Sequence, residues 1–201
     1  LDARNHVRFE PRIVGDPLAR GVQGNIAQSR ITVVNGTTPT ARHLNPHIDY
    51  LCTPPGCISP QAERDNSLAF PTDMVFSGNG QRVYVAGFGS GKVGIFDAAG
   101  LEAGTINAST KTLVGVGGGP SGLALDEVRN RLYVMNRFDH DISIVSNAST
   151  PSTAFESSVV SLRFDPSPVS VQNGRPFLYD ARNTSGHGDS ACASCHIFGD
   201  F

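Results

Sequence analysis

Two stretches decide how this chain folds. The first is PTDMVFSGNGQRVYVAGFGSGKVGIF, Pro71 to Phe96, and the second is PSGLALDEVRNRLYVMNRFDHDISIV, Pro120 to Val145. They align without a gap at an offset of 49 residues. Pro71, Arg82, Tyr84, Val85 and Ile95 recur as Pro120, Arg131, Tyr133, Val134 and Ile144. Met74, Phe76, Val83 and Val93 meet Leu123, Leu125, Leu132 and Ile142. Each copy reads as strand, turn (SGNGQ, DEVRN), strand, turn, strand, with polar residues alternating in the first and third strands. A period near 50 residues built of short antiparallel strands is the pattern of β-propeller blades.

The flanks fit the same plan. SRITVVN, Ser29 to Asn35, reads as the third strand of an earlier blade, and KTLVGVGGGP and SSVVSLRFDPSP read as outer strands leading to a next blade. That makes two blades and parts of two more. A closed ring needs at least four, so residues 1–165 are expected to form an incomplete ring, completed by further sequence or another chain. The 22 Gly and 13 Pro suit many short strands joined by tight turns. A formal net charge of −2, with no concentrated basic patch, argues against a nucleic-acid partner. No apolar stretch is long enough to span a bilayer. The opening LDARNHVRFE has neither an initiator Met nor a secretory apolar region, so either a signal has been removed or the start is internal to a longer product.

The four cysteines form two local pairs. Cys52 and Cys57, in LCTPPGC, can close a small disulfide ring in an oxidising compartment, the alternative being two reduced thiols. The other pair lies in Cys192-Ala193-Ser194-Cys195-His196. Two thiols three apart can add to the vinyl groups of haem, and a His directly after the second is placed to ligate iron from the proximal side. Chance alone would produce this pattern roughly two times in a thousand from this composition. A zinc site would want a second ligand pair nearby, and a thioredoxin-like redox pair would want a strand before it, where NTSGHGDSA stands.

Two resemblances add to this. PxxMxF…RVYVAGFGSGKVGIFD is similar to the YVTN-type β-propeller repeats of bacterial cell-surface and periplasmic proteins, over roughly residues 25 to 165. It implies a scaffold and no particular chemistry. GRPFLYDARNTSGHGDSACASCHIFGDF, Gly174 to Phe201, resembles the first haem-binding segment of the di-haem cytochrome c peroxidase and MauG-like family. There a helix with a GRxFLYD-like run precedes an SGxGxxSCASCH-type loop. Gly174, Arg175, Phe177, Leu178, Tyr179 and Asp180 fit the run, and Ser185, Gly186, Gly188 and Cys192 to His196 fit the loop. The resemblance implies one covalent haem c on Cys192 and Cys195, with His196 as proximal iron ligand. His187 is then a candidate for the haem edge or the distal side, against a solvent-exposed loop histidine. The family continues with a second haem motif and further iron ligands, which do not follow His196 here. Whether the parent protein is a di-haem peroxidase-like enzyme is therefore open.

The remaining motifs read as structure. His43 and His47 have i, i+4 spacing, but no HExxH glutamate lies between them and Pro46 disfavours a continuous helix. Met74 and Met135 fall in blade strands, where core packing is expected. His140 sits in a turn, and GFGSGK, Gly87 to Lys92, lacks the spacing of a P-loop. Ser167 and Pro168 are suited to N-cap and first helical residue, and Pro176 should kink or break the helix that follows.

The expectation is thus a mainly β protein: antiparallel propeller blades over 1–165, then the N-terminal part of an α-helical c-type haem domain over 166–201. It is expected to be periplasmic or cell-surface, to move electrons to a redox partner or further cytochrome chain, and to be a fragment or subunit of a propeller–cytochrome fusion working in an assembly. The alternative is a blade-built binding module whose terminal segment completes a partner's haem site.

Overall fold

A computed structural model describes residues 28–49, 60–107, 109–185, 187–194 and 196. Strands β1 (Arg30–Asn35) and β2 (Thr38–His43) pair as an antiparallel hairpin, so the strand read in SRITVVN has its partner immediately after it. Helix α1 (Pro60–Asn66) follows. Strands β3 (Pro71–Phe76), β4 (Arg82–Gly87), β5 (Lys92–Asp97) and β6 (Thr112–Gly115) then form one four-stranded antiparallel sheet in chain order. Strands β7 (Pro120–Asp126), β8 (Arg131–Asn136), β9 (Asp141–Ser146) and β10 (Phe155–Ser161) form a second. The first three strands of the two sheets start 49 residues apart, as the repeat requires. The fourth strands do not, because helix α2 (Ala98–Ala103) lengthens the first connection. Asp97 caps that helix, its Oδ2 accepting from Gly100 N at 2.8 Å. The second sheet crosses the same gap with a short 3₁₀ turn, Pro151–Thr153.

The protein is therefore mainly β, built of open antiparallel sheets and short helices. Period-2 alternation decides which residues face which layer. Tyr84, Val93, Ile95 and Val114 of the first sheet pack against Leu132, Val134, Val145 and Ala148, from the second sheet and the turn after it. Val83, Val85 and Phe96 point the other way, into Leu44, Leu68, Leu101 and Ile106. Apolar cover on both faces explains the near-continuous hydrophobic runs RVYVAG and KVGIF. The first strands of the two sheets are joined by side-chain bonds. Thr72 Oγ1 donates to Pro120 O at 3.1 Å, and Asp73 Oδ2 accepts from Leu123 N at 2.8 Å. Glu127 Oε1 accepts from Gly78 N at 2.8 Å.

Two sequence expectations need correction here. Core packing fails for both methionines. Met74 and Phe76 are 48% and 55% exposed, because the alternation of β3 turns Val75, and not its neighbours, toward the second sheet. Met135 is half-buried on the outer face of the second sheet. Helix α3 runs Val169–Tyr179, one residue later than the Ser167–Pro168 reading, because Pro168 takes the cap position and the Ser167 hydroxyl is bonded to Arg175 instead. The helix continues through Pro176, which sits in its last turn, and closes on the Asp180 N to Pro176 O bond of 3.0 Å. Past α3, the described residues form the single-turn α4 (Ala181–Thr184) and a 3₁₀ turn, Cys192–Ser194. Among the described residues, no helix is long and apolar enough to cross a membrane.

Candidate functional site

The segment from α3 to the Cys192 turn lies across one end of the sheets, and local chemistry fixes each step. The Asp180 carboxylate starts α4. Its Oδ1 accepts from Arg182 N at 2.9 Å, and both of its oxygens take the Arg182 guanidinium, at 3.0 and 2.8 Å. That pairing holds the Arg182 guanidinium above its ordinary pKa. Ala181 N donates to Gly89 O at 2.8 Å, sewing the segment to the turn between β4 and β5. A side chain at position 89 would meet Tyr179 O at 2.9 Å, so the close approach needs the glycine. Phe88 and Phe138, from the corresponding turns of the two sheets, stack against Tyr179 with ring centroids 5.5 and 5.3 Å away.

Beyond α4, the loop is held by a buried polar network on α1. Glu63, 5% exposed, has its carboxylate against His187 Nδ1. Ser67 Oγ lies 2.7 Å from both Glu63 O and His187 O, sharing its one proton between two carbonyls. His47 Nε2 is 3.1 Å from Glu63 O, which can only accept, so Nε2 carries the proton and Nδ1 faces Lys111 Nζ at 3.4 Å. Burial, and then the Lys111 charge, push the His47 pKa down, in keeping with a neutral ring. Lys111 itself donates to Leu44 O and Asn66 O, and burial pushes its pKa down to about 8. Further along, Ser29 Oγ donates to Asp189 O at 3.0 Å.

The turn that ends this path carries the Cys192 thiol, which is exposed and in no disulfide. His196 N donates to Cys192 O at 2.9 Å, so the turn returns His196 over the first cysteine. Ser194 Oγ accepts from Ala191 N at 2.9 Å and tightens it. The described part suits haem attachment in its donor set: an unpaired thiol at the surface with a half-buried imidazole one turn on. Cys195, like the expected Cys52–Cys57 disulfide, lies outside the described residues.

The sequence-predicted residues thus divide. Cys192 and His196 are brought together. His187 is half-buried and paired with Glu63, unlike a solvated loop histidine. His47 is a hydrogen-bonded strut between β2 and α1, and His43 ends β2. Among the described residues, no three His, Cys, Asp or Glu side chains gather as a metal-holding group. Sequence reading missed Glu63 and Lys111. Glu63 lies 124 residues from His187, and no local spacing announces such a pair.

No family model matches the chain, and no curated protein matches it in sequence. Among solved structures, it is similar to hydrazine synthase of Kuenenia stuttgartiensis at 20% identity, with a TM-score of 0.38, over 47% of this chain and 24% of that one. It is also similar to a periplasmic gluconolactonase of Pseudomonas aeruginosa at 15% identity, with a TM-score of 0.40, over 49% of this chain and 28% of that one. The chain therefore spans about a quarter of the length of each.

Proposed function

We propose that this chain is an extracytoplasmic c-type haem protein that moves electrons, as a fragment or subunit of a propeller–cytochrome fusion related to the di-haem peroxidases. The observation that carries the reading is the Cys192-x-x-Cys195-His196 motif, whose first thiol is exposed and unpaired beside His196. Cys192 and Cys195 would hold the haem covalently, and His196 would ligate its iron. Bound haem would supply a one-electron couple, its potential set by axial ligands and burial.

The chain's own residues supply the placement. The His187–Glu63 pair and the Ser67 bond to His187 O fix the loop nine residues before His196. Asp180 and Ala181 fix its start on the sheet ends. Held at both points, the attachment turn has little freedom relative to the sheets.

The test is intact mass under denaturing conditions, with a pyridine haemochrome spectrum, on protein made where c-type haem is attached. The expected result is the added mass of one haem and a c-type band, both lost in the Cys192→Ser, Cys195→Ser double variant. Absence of haem from the unaltered chain sinks the reading. A second reading, a binding module whose terminal segment completes a partner's haem site, draws on the apolar outer face of the second sheet, where Tyr133, Met135, Ile142 and Ile144 have no further sheet against them among the described residues. A sixth iron ligand supplied by another polypeptide would favour it.

A further inference from the structure

A cleft of about 570 Å³ opens where the first strands of both sheets begin, roofed by α3. Its volume falls in the range of roughly 300–1,000 Å³ typical of small-molecule sites. Four rings form its wall. Phe88 is central, with centroids 5.6 Å from Phe70, 4.6 Å from Phe138 and 5.5 Å from Tyr179, and edge-to-face or tilted geometry throughout. Phe88 is buried at the centre, while Phe70, Phe138 and Tyr179 around it are half-buried and keep part of their surface open.

Two guanidiniums border these rings, and they differ in kind. Arg175 is committed. It pairs with Asp165 at 3.0 Å, donates to Phe138 O at 3.4 Å and contacts the Ser167 hydroxyl. Arg137 is exposed, and its side chain makes no hydrogen bond or ion pair among the described residues. Its backbone is fixed by the Arg137 N to Gly119 O bond of 2.8 Å. The nearby carboxylates are already engaged, Asp165 by Arg175 and Asp139 by Gly118 N at 2.6 Å. The cleft thus combines an aromatic wall with one planar guanidinium at its edge whose side chain has no ion-pair partner among the described residues.

We infer that this cleft is a binding site for a small aromatic carboxylate. The ring system would lie among Phe70, Phe88, Phe138 and Tyr179, and the carboxylate would be taken by Arg137. A cationic ligand would also suit aromatic walls, but the Arg137 guanidinium at the edge opposes it. A guanidinium's fork matches a carboxylate bidentately. None of these residues belongs to the Cys192–His196 motif, so the inference stands whether or not haem is attached.

The experiment is a fluorescence titration of the full chain with 2-naphthoate, beside the neutral 2-naphthamide. The expected result is saturable one-site binding of 2-naphthoate. Arg137→Gln should weaken it roughly tenfold, to about the affinity of the amide, the size of one lost charge-assisted contact. The amide should be indifferent to that substitution. Val160→Ser, on the exposed strand β10, should leave binding unchanged. Absence of saturation at millimolar naphthoate, equal binding of acid and amide, indifference to Arg137→Gln, or loss on Val160→Ser would each overturn the assignment.

Discussion

Tyr84 and Tyr133 hold the same place in the two repeats, and they live in different environments. Tyr84 lies opposite Ile95 on β5, and Tyr133 lies opposite Ile144 on β9, in identical register. Tyr84 is 1% exposed in the layer between the sheets, and its hydroxyl donates to Ala148 O at 3.0 Å. Burial pushes its phenol pKa up. Tyr133 stands half-buried on the outer face of the second sheet. The residues, strand and register match, so what differs is whether a further sheet stands on that side. The repeat specifies a sheet with two apolar faces, and only stacking turns such a face into core.

That contrast predicts its own largest effect. Tyr84→Ala should cost about 3–5 kcal/mol, the usual range for deleting a buried aromatic ring, and it also strips Ala148 O of its donor. Tyr133→Ala should cost about 1 kcal/mol or less, as expected for a side chain with one face open. Urea denaturation followed by far-UV circular dichroism would read both. Equal costs would break the comparison and mean that the outer face is covered in solution. A melting temperature that rises with protein concentration would then identify a second copy as the cover.

The sheets were legible because a gapless repeat carries register and alternation together. The start of β7, β8 and β9 follows from β3, β4 and β5 once Pro71 is aligned with Pro120. The burial of each face was not legible, since Met74 and Val75 both read as apolar strand residues and only the stacking direction separates them. The closeness of Cys192 and His196 was legible because only one turn of chain separates them. Glu63, His187 and Lys111 were not, because that network is assembled from α1, the pre-motif loop and the approach to β6. Pro176 signalled a helix end and was off by one turn, since a proline in the last turn removes one amide donor, and the helix ends soon after it anyway.

Lys111 sharpens the contrast between the sealed first sheet and the open second one. On the first sheet's flank its ammonium is buried among Leu44 O, Asn66 O and His47, whereas β10 is exposed along its whole length. A lysine whose folded pKa lies near 8 binds its proton more weakly than the unfolded chain does, whose lysines titrate near 10.4. The unfolded state therefore holds more protons between those values, and stability should rise with pH across about 8 to 10.5. The full gain is about 3 kcal/mol. Lys92, also lowered by burial, acts in the same direction, so the measurement must be a difference. The unfolding free energy of the unaltered chain minus that of Lys111→Met should climb over this window and stay flat below pH 7. A flat difference throughout would mean that the flank is wet and that Lys111 titrates as in water.

The smallest effect concerns how the loop before Cys192 meets helix α1. Gly188 has φ +72, and a Cβ there would lie 2.8 Å from Arg64 Cα, a backbone atom that cannot swing aside. Gly36, in the β1–β2 turn, has φ +59 and nothing within 4 Å of a Cβ. Alanine at either position carries the left-handed penalty of about 1–2 kcal/mol, but only at Gly188 is there a contact to break. Gly36→Ala should therefore strain the hairpin turn and leave the loop docked. Gly188→Ala should lift the loop from α1, separating His187 from Glu63. Native-state hydrogen exchange would show this as faster exchange at residues 187–194, with β4, β5, β8 and β9 as protected as before. If the two variants perturb their own turns alike and His187 stays protected, the loop rests on its own hydrogen bonds. The fit against Arg64 then does not hold it, and the Cys192 turn would be tied to the sheets by its polar pins alone.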